Sequence, residues 1–172
     1  MDRKNNNYVQ KLTLSAIIMA LYVVVLYFTQ GFSFGAYQIR IATALYALSY
    51  LFPFLVLPLG LANFIANMLF GGLGLLDMAG GCMVGIVTTA LIVLIRKRGW
   101  NRWLMVLPII LVPGLGVATW LSYLLNLPYP ALALSLCIGQ IIPSICGVLL
   151  VKTLQRTLHS NRQFSSLMYE EV

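Results

Sequence analysis

RIATALYALSYLFPFLVLPLGLANFIANMLF, from Arg40 to Phe70, is a stretch of 31 residues that is apolar almost throughout, and its reading decides the fold. As a single helix rising 1.5 Å per residue it would run to about 46 Å, against a hydrocarbon core of about 30 Å. Two helices fit better. Pro53 and Pro58 mark the turn between them, because a proline interrupts the hydrogen-bond ladder and restricts the residue before it.

The segments on either side are of the same kind. Leu75–Ile95, Trp103–Leu125 and Ala131–Leu154 are each long enough to span a bilayer, and they end at a Gly-rich turn, at RKRGWNR (Arg96–Arg102) and at NLPYP (Asn126–Pro130). Leu12–Phe28 follows Arg3, Lys4 and Lys11. Its 17 residues exceed a usual signal-peptide core and no small-x-small cleavage site follows, so it reads as a retained helix. Composition agrees: of 172 residues 60% are hydrophobic and 9% charged, with a mean hydropathy of +0.91. Soluble domains carry roughly 45–50% and about 25%. The chain therefore reads as an all-α membrane protein, one transmembrane domain over residues 1–172 with short tails at about 1–11 and 156–172. Its net charge of +7 belongs with membrane topology rather than with nucleic acid.

Charge sets the number of crossings. Six helices with both termini inside place Arg3, Lys4, Lys11, Arg96, Lys97, Arg98, Arg102, Lys152, Arg156 and Arg162 on the cytoplasmic side, which leaves Arg40 alone of the eleven cations outside. Five helices would move RKRGWNR across the membrane. No internal repeat or inverted half-and-half pattern is visible. Cys82, Cys137 and Cys146 are odd in number, lack CxxC spacing and lie in apolar runs, so they read as small hydrophobes rather than disulfide partners.

Polar groups inside hydrocarbon cost free energy unless paired, so the few present are the candidate site. In the six-helix topology Gln38, Arg40 and Thr43 begin the second helix at its outer end. Asn63 and Asn67 share a face of the third at i, i+4 spacing, with Asn67 near the outer surface, and Asp77 begins the fourth. Trp120 and Tyr123 fall in the outer third of the fifth, and Gln140 lies nine residues into the sixth. Each of these could be an ion pair, an interhelical amide or part of an aromatic belt. Jointly they offer stacking surface, amide donors and acceptors, and one cation near one carboxylate, the groups a flat heterocycle needs. His159 is the one histidine and sits in the tail, so no intramembrane His-based metal site or Ser-His pair can be built. No metal site or resident cofactor is expected. There is also no GxxxxGK[ST] loop, so energy for uphill transport must come from an ion gradient or a partner. In helix one, Ala16 and Ala20 form an AxxxA step, where small residues let another helix approach; ordinary internal packing gives the same spacing.

QIRIATALYALSYLFP (Gln38–Pro53), GLANFIAN (Gly60–Asn67) and GLLDMAGG (Gly74–Gly81), with the AxxxA step and the Gly139-Gln140 pair, resemble the substrate-binding S components of energy-coupling factor (ECF) vitamin transporters, and among them the QueT family, importers of queuosine precursors. The resemblance implies a multi-pass protein of the bacterial cell membrane with Gln38, Arg40, Thr43, Asn67, Asp77, Trp120, Tyr123 and Gln140 at the substrate site. It further implies docking through Ala16 and Ala20 onto a scaffold subunit of the EcfT type, with two ATPase subunits of the EcfA type that consume ATP and Mg. Two positions depart from the family pattern: Thr43 stands where an acidic residue is usual, and Gln140 where a glutamate is. Both remove a carboxylate, so neutral heterocycles such as a hydroxymethylpyrimidine or a pyridoxine vitamer fit at least as well as a cationic deazaguanine. A stand-alone small transporter or channel is the reading of another class.

Overall fold

The computed structural model describes residues 3–33, 38–71 and 73–158; His159 and Arg162, assigned above to the tail, lie outside the described residues. Among the described residues the chain is helical, with six α-helices: α1 (Arg3–Ser33), α2 (Val56–Ala66), α3 (Leu75–Lys97), α4 (Val106–Leu125), α5 (Tyr129–Gly139) and α6 (Ile141–Leu158). A 3₁₀ helix, Ile41–Tyr50, lies between α1 and α2. Five helical stretches are long and apolar enough to cross a membrane: Asn7–Gly31, Pro53–Gly71, Leu75–Lys97, Arg102–Leu125 and Tyr129–Thr157.

The expected division of Arg40–Phe70 into two is present, but its halves are unequal. Ten residues of 3₁₀ helix rise only about 20 Å, short of the hydrocarbon core. Eight of the ten, Ala42 through Ser49, are buried. Apart from one polar row the segment is apolar around its circumference because it is packed within the protein, against α1, α3 and α6. Ala42, Ala44 and Ala47 keep it thin enough for such enclosure. The turn falls at Leu51–Pro53, where Pro53 opens a further short 3₁₀ turn. Pro58 is inside the first turn of α2 rather than in the turn between segments, a position where its missing N–H has no intrahelical acceptor to lose. The last expected span is also divided: α5 gives way to α6 at Gln140, three residues before Pro143, whose absent N–H interrupts the ladder there.

Two apolar clusters hold the bundle. One joins Tyr22 and Leu26 of α1, the 3₁₀ helix and Leu55, Leu59 and Ala62 to Ile92, Ile109 and Val148. The other joins Val84, Val117, Ala118 and Leu121 to Leu132, Ala133 and Leu136. Gly60 and Gly85 let α2 and α3 touch backbone to backbone: a Cβ on Gly85 would stand 3.0 Å from Gly60 Cα.

The two ends of the bundle differ in charge. At one end Lys11 lies over the Phe54 ring, Arg96 donates to the carbonyls of Tyr50 and Leu51 at 2.8 Å each, and Arg102 donates to Gln155. Arg96 thereby caps the C-terminal end of the 3₁₀ helix, where carbonyls have no helical partner. Arg40 stands at the opposite end, as the N-cap of the same helix.

Candidate functional site

Three residues per turn, the period of a 3₁₀ helix, puts side chains three apart in register. Arg40, Thr43, Tyr46 and Ser49 therefore form one row, and all four are buried. The row faces the other helices through hydrogen bonds. Arg40 Nη2 donates to Asn67 Oδ1 on the π-helical turn Asn67–Gly71 that ends α2. Asn67 Nδ2 donates in turn to the Asp77 carbonyl at 3.0 Å, and Trp120 Nε1 donates to the Asp77 carboxylate at 3.0 Å. Arg40 and Asp77, expected as a cation near a carboxylate, are thus joined through the Asn67 amide.

The opposite wall comes from the break between α5 and α6. Thr43 Oγ1 reaches Gln140 Oε1 at 2.7 Å, and Gln140 Nε2 donates to the Gln38 carbonyl at 3.3 Å. Gln38 holds a φ of 39°, in the left-handed region that a non-glycine residue occupies only when its surroundings impose it.

Between these walls lies a cavity of about 10 Å³, lined by Gln38, Arg40, Thr43, Tyr46, Asn63 and Gln140 with Val84, Pro113, Val117 and Leu136. It lies where the two apolar clusters meet. A volume of this size admits about one water. Of the lining residues none carries a carboxylate.

Four of the eight expected residues, Gln38, Arg40, Thr43 and Gln140, share this cavity. Asn67, Asp77 and Trp120 stand behind Arg40 in the hydrogen-bonded string. Tyr123 is not brought in: it is 79% exposed on the outside of α4. An exposed aromatic ring two residues from the end of α4 suits an interfacial aromatic belt.

Tyr46 and Asn63 are the polar lining residues the expected set omits. Both are buried, and Asn63 Nδ2 donates to Tyr46 Oη and to the Gly81 carbonyl at 2.8 Å each. The Gly81 carbonyl fixes the orientation of the amide, since a flipped Asn63 would set oxygen against oxygen. Asn63 Oδ1 is then a buried acceptor with no hydrogen-bond partner. Tyr46 also stacks on Tyr22 of α1, ring centroids 5.7 Å apart, with the two hydroxyls 3.3 Å apart. The i, i+4 pairing of Asn63 with Asn67 was the available signal for Asn63. Tyr46 gave none at a period of 3.6, which sets it well off Arg40's face.

A buried polar row, an unmet acceptor and an apolar surround suit recognition of a small polar molecule. Residues 12–156 match the family model described as QueT transporter. The chain belongs to the QueT transporter family. No curated protein and no solved structure matches it. As a QueT-family member it is a membrane transport protein.

Proposed function

We propose that the chain is the substrate-capturing S component of an ECF-type importer. It takes a small heterocyclic micronutrient, a queuosine precursor or a related vitamin, from outside. It then delivers it inward together with an EcfT-type scaffold and two EcfA-type ATPases that use ATP and Mg. The observation that carries this reading is Asn63 Oδ1, an unmet acceptor beside a cavity already furnished with Arg40, Thr43 and Gln140. A buried polar atom without a partner costs about 1–3 kcal/mol, and a ligand N–H or O–H placed there recovers that cost. Topology supports it: with the basic end inside, the cavity end faces out. Ala16 and Ala20 support the docking role, because both are exposed on the outer face of α1 rather than used in packing within the chain.

A neutral ligand has its own support. With Thr43 and Gln140 in place of acids, a buried ammonium group would meet Arg40 and no lining carboxylate. Neutral heterocycles such as a hydroxymethylpyrimidine or a pyridoxine vitamer are therefore preferred to a cationic deazaguanine.

Capture requires movement. A heterocycle cannot enter 10 Å³, so the Thr43–Gln140 contact must part, and the interruption between α5 and α6 is where the backbone is freest to yield.

Affinity purification from native membranes, followed by native mass spectrometry, tests the reading. Scaffold and ATPase subunits should co-purify, and a heterocycle should be carried by the isolated chain. A chain that purifies alone and transports its substrate in liposomes without ATPases would be a stand-alone transporter, and the proposal would be wrong.

A further inference from the structure

Towards the basic end, a groove of about 270 Å³ runs between the last turns of α3 and the first turns of α4. Every lining side chain is apolar, among them Leu91, Leu94, Leu104, Leu107 and Leu111. These five leucines are exposed. From the 3₁₀ turn Arg102–Met105 into α4 the lining runs from Leu104 to Val112, about 12 Å of helix. Such a slot on a membrane-facing surface takes a hydrocarbon chain.

The mouth of the groove is not apolar. Trp100, which lines it, is half exposed, and the Arg98 guanidinium stacks over the Trp100 ring at 5.4 Å from its centroid. Arg96, two residues earlier, is committed inward to the carbonyls of Tyr50 and Leu51. Arg98 is instead an exposed cation held at the groove's rim by an aromatic face. An acyl slot ending at a fixed cation has the charge and shape of one class of molecule. We propose that this groove is a binding site for an anionic phospholipid, one acyl chain lying along the α3–α4 leucines and the phosphate at Arg98.

Trp100 supplies the test. A Trp103→Phe/Trp120→Phe variant leaves it as the sole tryptophan, and the protein is reconstituted in nanodiscs containing chain-brominated phosphatidylglycerol or chain-brominated phosphatidylcholine. Brominated phosphatidylglycerol should quench Trp100 at about five-fold lower mole fraction, the worth of one cation near an anionic headgroup. Arg98→Gln should abolish the preference. Lys152→Gln, which removes a cation of the same end on α6, should leave it intact. Equal quenching by the two lipids, or a preference lost equally in both variants, would reduce the effect to ordinary surface charge and overturn the proposal. Because Trp120 belongs to the cavity string, a second measurement uses the unaltered chain: native mass spectrometry should find retained anionic phospholipid that Arg98→Gln loses. Retention equal in both would overturn the proposal too.

Discussion

Thr43, one turn into the 3₁₀ helix, and Gln140, at the interruption between α5 and α6, are 97 positions apart in sequence and 2.7 Å apart in space. Both residues line the cavity. In the proposed importer this contact competes directly with the ligand, so its energy should depend on occupancy. A double-mutant cycle of Thr43→Val and Gln140→Ala, followed by unfolding in detergent, should give a coupling of about 0.5–1.5 kcal/mol without ligand. At saturating ligand the coupling should fall toward zero. A value unchanged by ligand would mean that the pair is structural and the site lies elsewhere.

Arg40 and Asn63 both line the cavity, Arg40 as a donor to Asn67 and Asn63 with its Oδ1 unpartnered. Arg40→Ala and Asn63→Ala should each weaken ligand binding by about 1–3 kcal/mol, roughly five- to 150-fold, by calorimetry on purified protein. In a thermal-shift panel of deazaguanines, pyrimidines and pyridine vitamers, neutral members should raise Tm more than cationic ones, since binding to the native state alone stabilises it. A tight cationic deazaguanine, indifferent to both substitutions, would remove the neutral-ligand reading and the site together.

At Gly85 the nearest neighbour of an added methyl group is the Gly60 backbone of α2, which cannot swing aside as a side chain can. Gly85→Ala should destabilise by about 1–3 kcal/mol through overpacking. Gly31→Ala, where no atom lies within 4 Å of the added Cβ, should leave Tm nearly unchanged. Equal effects at the two positions would argue against this helix approach.

The proposed sidedness rests on charge. In a variant lacking Cys82, Cys137 and Cys146, single cysteines at Gly31 and Asn126 should react with an impermeant maleimide in intact cells, and one at Asn101 should not. Labelling at Asn101 would overturn the sidedness proposed from charge.

In the proposed importer, docking should be separable from binding. Trp at Ala16 or Ala20 adds bulk to the exposed face of α1, so co-purification of scaffold and ATPases should fail while ligand affinity of the isolated chain persists. Assembly unaffected by both replacements would place the partner surface on another helix.

By itself the sequence determined what depends on position along the chain. Hydropathy set the apolar segments and Pro53 divided Arg40–Phe70, because span length and a missing N–H are local facts. The basic residues of RKRGWNR and of the final helix marked one end, and polar residues at matching distances from helix ends gave the depth of the site. Packing decided what depends on direction. A period of 3.6 assumed for Ile41–Tyr50 scatters Arg40, Thr43 and Tyr46 around the helix, whereas the tight 3₁₀ winding of an element enclosed by α1, α3 and α6 aligns them. The same winding brought Tyr46 to the cavity beside Asn63, while packing of the other helices left Tyr123 exposed and set the Asn67 amide between Arg40 and Asp77. Hydropathy measures how strongly a segment avoids water, and a buried element and a lipid-facing one avoid it equally. Only the neighbours, fixed by tertiary structure, tell them apart.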